Sequence, residues 1–227
     1  EPAWEIADMP PRPVISDVIG SPDLLFSSEN GDVSILDING NTRIKTVPFQ
    51  EKKITHLAAD DLYIYASHVS LSGSINELTS YYLITGQIRE QKLLSAGVCG
   101  LVAVGGKALV FLDSGPDLVV MLYDPETLEI NQISLIPGEE LISAEKISDE
   151  EIFLLTENRV LAFYPASVNY ISFSPEPYEI CRYDHISDDV YLVKDNFVYQ
   201  FERSTGDLIR NKQFQDDIID FQILYNK

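Results

Sequence analysis

The sequence predicts an all-β chain of four-stranded antiparallel blades, five or six in number, assembled as a β-propeller. Three observations carry this. Five stretches share one plan, in which apolar–polar alternation runs into a tight turn and out into a second alternating strand: VSILDINGNTRIKTVPF (33–49), SYYLITGQIREQKLL (80–94), VMLYDPETLEINQISLI (120–136), VLAFYPASVNYISF (160–173) and VYQFERSTGDLIRNKQF (198–214). The matching turn positions Gly40, Gly86, Leu128, Val168 and Gly206 follow one another at spacings of 46, 42, 40 and 38 residues. Ahead of each hairpin come two further apolar runs joined at an acidic or glycine-rich corner. Period-two alternation is the mark of half-buried strands. Four strands recurring about every forty residues are the signature of propeller blades.

Each blade is justified in order. The candidate inner strands are PVISDVIG, ITHLAAD, VCGLVAVG, LISAEKIS and EICRYDHIS. The second strands follow the corners in SPDLLFSS, ADDLYIYAS, GGKALVFLD, SDEEIFLLT and SDDVYLVKD. With the hairpins these give blades over about 13–49, 53–94, 97–136, 141–174 and 178–214, in a single domain over 1–227. EELISAEKISDEE carries Glu and Lys at helical spacing, but the blade register on both sides favours a strand, since tertiary context overrides propensity. Gly40, Gly86 and Gly206 suit a tight hairpin that needs positive φ. At Leu128 and Val168 a different turn type is expected, with Pro125 and Pro165 at position i+1 of a type I turn. DDIIDFQILYNK (216–227) reads as a sixth inner strand, and residues 1–12 and 216–227 as segments that close a ring of five or six blades, with an open fragment of a larger ring as the alternative.

Composition narrows the function. A net charge of −20 against 16 Lys and Arg argues against nucleic acid and anionic membrane as partners, because both need a basic surface. It suits basic partners, cations or plain solubility. No apolar run approaches the roughly 18 residues of a membrane span, so membrane insertion is not expected. Cys99 and Cys181 hold matching places in inner strands of blades three and five. Those strands are not neighbours in a ring, which predicts two free, largely buried thiols.

The hairpins LDINGNT, YDPETLE and FERSTGD resemble those of quinoprotein-like propellers, in which a strand runs into Asp-x-x-x-Gly or Asp-x-x-Thr-Gly and on into the next strand. Quinone-binding members carry a docking tryptophan near each outer strand, whereas the one tryptophan here is Trp4, outside the repeats. The resemblance therefore implies the fold and a non-catalytic member without cofactor. The family's habits, the acidic charge and a start at Glu1 rather than Met point to an extracytoplasmic home.

Candidate sites follow from the scaffold. Loops joining outer to inner strands, and second to third strands, gather on one face of a propeller, and loops on a rigid scaffold carry function. Among the second-to-third loops SHVSLSGSINE (67–77) is the long one, which singles out His68, Ser72, Asn76 and Glu77 as binding residues. Tyr178 and Tyr183 flank Cys181 beside PEPYE and join them, since Tyr is enriched in binding hot spots. The acidic pairs Asp60/Asp61, Asp113/Asp117 and Asp188/Asp189 match no calcium loop and fit turns capped by their own side chains. His56 and His185 sit near inner-strand ends, and Asp184 alternates to the strand face opposite its neighbour His185, which weakens an acid–base pair between those two. The resulting expectation is a non-catalytic platform for a protein or peptide partner. The alternative is a metal-assisted hydrolase of lactonase type using Glu145, Asp184 and Asp217 at the channel mouth. No nucleophile or phosphate-loop motif is present.

Overall fold

Central strands of this chain are apolar on both faces, and that determines how its sheets are layered. The computed structural model describes residues 15–17, 24–27, 33–36 and 42–45, with the Val33 side chain, and then 52–70, 72–73, 75–221 and 223. Five four-stranded sheets are formed among these residues, each from consecutive strands in sequence order. The first comprises β1 (Ile15–Asp17), β2 (Leu24–Ser27), β3 (Val33–Leu36) and β4 (Thr42–Lys45). The second comprises β5 (Lys52–Ala59), β6 (Tyr63–Ser70), β7 (Asn76–Tyr82) and β8 (Ile88–Leu94). The third comprises β9 (Gly97–Val104), β10 (Lys107–Asp113), β11 (Asp117–Asp124) and β12 (Glu129–Pro137). The fourth comprises β13 (Leu141–Lys146), β14 (Ile152–Thr156), β15 (Val160–Tyr164) and β16 (Asn169–Ser174). The fifth comprises β17 (Ile180–Asp184), β18 (Asp189–Lys194), β19 (Phe197–Glu202) and β20 (Leu208–Gln213). Pairing is antiparallel in the first, second, fourth and fifth. The helix-compatible stretch around Leu141–Lys146 is strand.

Burial falls from the middle of a sheet to its last strand. Every residue of β14 is buried, as are the first six of β6, while every residue of β20 is exposed. Continuous runs such as IFLLT and ALVFL, in place of alternation, are what a strand covered on both faces requires. The chain forms two compact units, Glu1–Leu112 with Met121–Gln132 and Asp113–Val120 with Ile133–Lys227. In the first, Val33, Ile54, Leu57, Ile64 and Tyr81 make one core cluster. In the second, Phe153, Val160, Tyr178, Cys181, Leu192 and Phe201 bring the fourth and fifth sheets face to face. Phe153 and Phe173 approach to 4.7 Å between ring centres, within the range of favourable aromatic pairs.

The turns correct one expectation. Leu128 (φ 61°) and Val168 (φ 53°) adopt the same left-handed conformation as Gly86 (66°) and Gly206 (73°). The turn type is thus shared, and two side-chain-bearing residues bear its strain. In the glycine examples, Gly86 N donates to Tyr82 O at 2.8 Å and Gly206 N to Glu202 O at 2.8 Å. Asp188 (φ 60°) repeats the motif in the β17–β18 turn, donating to Asp184 O at 2.9 Å. The outer pairs β7–β8 and β19–β20 slip register beside these turns, as expected of a bulge following a left-handed residue. Gly40 and the N-terminal closing segment lie outside the described residues.

The C-terminal stretch differs from the expected sixth strand. Residues 216–221 form no strand and instead lie against the fifth sheet. Ile218 N donates to Asp195 O at 3.0 Å, Arg182 Nε donates to Phe221 O at 3.1 Å, and the Phe221 ring sits 5.7 Å from Tyr191.

Candidate functional site

The long-loop expectation does not survive the strand lengths. β6 runs on to Ser70 and β7 begins at Asn76, so most of the 67–77 stretch is hairpin stem. Gly73 N donates to Ser70 O at 2.7 Å and Ser70 N to Ile75 O at 2.9 Å, closing a short turn. His68 is 2% exposed and cannot meet a partner directly. Ser72 is exposed, with its Oγ 3.0 Å from Ser70 Oγ, and Asn76 and Glu77 are half-buried. Tyr178, at 6% exposed, is a core residue packed edge-on against Tyr199 and Phe201. Isolated polar and aromatic letters in an alternating stretch did not reveal which face each side chain would take.

Tyr183 does reach a site. In the second unit a cleft of about 330 Å³ is walled by Ser148, Glu150, Glu151, Tyr164, Tyr183 and Arg203. Its walls come from the β13–β14 corner and from the ends of β15, β17 and β19. In an antiparallel meander these first-to-second and third-to-fourth connections share one end of the sheet. The cleft therefore lies at the end opposite to the loops favoured from sequence. Arg203 holds it together. Its Nη1 donates to Glu151 Oε2 at 2.6 Å, its Nε to Asp188 Oδ1 at 2.6 Å and its Nη2 to Asp188 Oδ2 at 3.1 Å. Such forked, charge-assisted bonds are strong and directional. Tyr164 Oη donates to Glu151 Oε1 at 3.1 Å, and Tyr183 Oη donates to Asp188 Oδ1 at 2.8 Å.

The electrostatics follow. Burial, together with Glu151 for Tyr164 and Asp188 for Tyr183, pushes both phenols above their ordinary range. Hydrogen bonds from Arg203 and then Tyr183 hold the Asp188 carboxyl below the usual carboxylate range. The Asp188 bonds raise the Arg203 guanidinium further above its already high value. At the same end of the fourth and fifth sheets two exposed aliphatic side chains stand on turns, Val168 on the β15–β16 turn at 41% and Ile186 on the β17–β18 turn at 68% exposed. Arg203 occupies the turn place held by Leu83, Pro125 and Pro165 in other hairpins. That departure from the repeat is the sequence signal by which the site could have been found.

The other candidates resolve into structure. Asp60 Oδ1 accepts from Leu62 N and Tyr63 N at 2.8 Å each, and Asp113 Oδ1 from Gly115 N at 3.1 Å. These are turn caps. Asp184 Oδ1 likewise caps Ile186 N at 2.9 Å, Glu145 Oε1 accepts from Tyr183 N at 3.3 Å, and Asp217 is exposed on the C-terminal stretch. Among the described residues no three His, Cys, Asp or Glu side chains gather as a metal site. His56 Nδ1 lies 3.3 Å from Ser67 Oγ, and burial lowers its pKa. His185 is exposed in the β17–β18 turn. Both cysteines are free, Cys181 buried and Cys99 half-buried with Sγ 3.4 Å from Phe111 O. Burial pushes the Cys181 thiol well up. No helix among the described residues is long and apolar enough to cross a membrane.

No family model and no curated relative matches the sequence. Solved structures do match. BamB from Moraxella catarrhalis aligns over 88% of this chain and 60% of its own, with a TM-score of 0.60 at 13% identity. Hsv2 from Kluyvelomyces marxianus aligns over 88% and 61%, with a TM-score of 0.65 at 13% identity. A nidogen/laminin complex aligns over 87% and 79%, with a TM-score of 0.60 at 8% identity. The chain spans less than two-thirds of the length of BamB and of Hsv2. What it shares with these proteins is the β-propeller fold.

Proposed function

We propose that this chain is a non-catalytic binding platform for a protein or peptide partner, and that the partner docks at the Tyr164–Tyr183–Arg203 cleft. The observation that carries this is the cleft's composition. Two tyrosines line it with an arginine fixed by two carboxylates, at the end of the sheets whose turns also carry the exposed Ile186 and Val168. Tyr and Arg are among the residues most enriched in interface hot spots. The fold supports the reading, and a nidogen of the same fold is seen with laminin. Within the fold we place the chain with quinoprotein-like propellers, and we propose that its five sheets are blades of one domain over 1–227. Ser72, Asn76 and Glu77, at the other end of the second sheet, are a secondary contact in this proposal.

The test is site-specific photocrosslinking. A photoreactive residue at Ile186 should capture a discrete partner in cell extract, and the same group at Asn196, on the opposite end of the fifth sheet, should not. Tyr183→Ala should weaken the capture at Ile186. Equal capture at both positions, unaffected by Tyr183→Ala, would sink the reading. Agreement of calorimetric and van't Hoff enthalpies would check the single domain.

A further inference from the structure

We propose that the cleft of the second unit receives a cationic side chain, the guanidinium or ammonium group of a partner's arginine or lysine. This rests on the platform reading and names what its site takes. The charge inventory decides the sign. Glu150, Glu151 and Asp188 stand against one cation, Arg203. Arg203 is already engaged on both sides at 2.6 Å, so an incoming anion would have to displace a close carboxylate and then face Glu150. Charge-assisted bonds of that length are not readily exchanged.

A cation meets the opposite situation. Glu150 lines the cleft and makes no ion pair among the described residues. Its neighbour Asp149 is engaged by Lys146 at 2.7 Å and does not compete for the ligand. Tyr164 and Tyr183 line the same walls, and both hydroxyls already donate to carboxylates. Their remaining capacity is an accepting oxygen and a π face, and both favour positive charge. A volume of about 330 Å³ is at the lower end of small-ligand sites, suited to one extended side chain rather than a folded element. The net charge of −20 steers such a group inward.

The test uses the whole chain and four probes: N-acetyl-arginine amide, N-acetyl-lysine amide, N-acetyl-citrulline amide, which keeps arginine's shape without its charge, and acetate. NMR follows the Tyr164 and Tyr183 rings and the Arg203 Nε–H. Either cationic amide should shift these signals in a saturable way. Citrulline amide and acetate should not, and Glu150→Gln should weaken the cation roughly threefold to fivefold, the scale of one partly exposed ion pair. A larger response to the arginine amide than to the lysine amide would identify guanidinium as the preferred group. Equal shifts with citrulline amide, shifts with acetate, or silence from both cations at 50 mM would each overturn the proposal. The Ile186 crosslink answers separately, so capture there with silent cations removes this inference and leaves the platform.

Discussion

At Val168 and Leu128 the chain bears side chains where its own repeat elsewhere uses glycine. Left-handed backbone costs an L-residue roughly 1–2 kcal/mol, and a β-branched residue is the least suited to it. Because Val168 loses little burial, Val168→Gly should raise stability by about 0.5–1 kcal/mol, net of glycine's entropy in the unfolded chain. Gly206→Ala should lower it by about 1 kcal/mol, from backbone strain alone, since an added Cβ would meet only Phe173 at 3.7 Å. Urea denaturation of both variants checks the pair of opposite signs. His56 makes a second residue-scale prediction. Burial lowers its pKa, so the unfolded chain takes up the proton first as the pH falls. The stability it contributes is complete above the unfolded value of about 6.5 and is lost as pH falls through the lowered folded value. Denaturation at pH 7.5 and 5.5 should therefore show a smaller acid loss in His56→Asn than in the parent.

At the scale of elements, the fourth and fifth sheets share a buried aromatic face and are pinned at one end by Arg203. The Glu151 side chain is only a tenth exposed, so removing its cation leaves a carboxylate largely desolvated. Arg203→Met should cost about 2 kcal/mol, below the value for a fully buried pair because Arg203 itself is partly solvated. Arg203→Lys should recover less than half, since an ammonium cannot fork to both carboxylates. Melting of the two variants against the parent measures this, and equal stability of all three would remove Arg203's structural role. The hairpin strands were legible in sequence because their period is two and their turns recur, and the second strands because continuous apolar runs follow a recurring corner. The cleft was legible only in Tyr183. Its other members come from three different connections, and the repeat alignment shows Arg203 only as an oddity at a turn.

For the whole molecule, the excess of acid over base governs association more than fold. If a basic partner docks, its association rate should fall at least about tenfold between 50 and 500 mM salt, with a smaller change in dissociation. Stopped-flow kinetics with the crosslinked partner, once purified, would show it, and a salt-independent rate would remove electrostatic steering from the account. The sequence by itself determined the strand order, the recurrence of four strands and the absence of a disulfide between its two cysteines, because alternation, turn residues and spacing are local properties. Only the tertiary structure decided that His68 and Tyr178 point inward, that Leu128 and Val168 take a glycine's conformation, and that the cleft opens at the end where first strands join second and third join fourth. Those outcomes depend on which face of a strand meets its neighbour. A shift of one residue reverses that face, and packing rather than composition selects it.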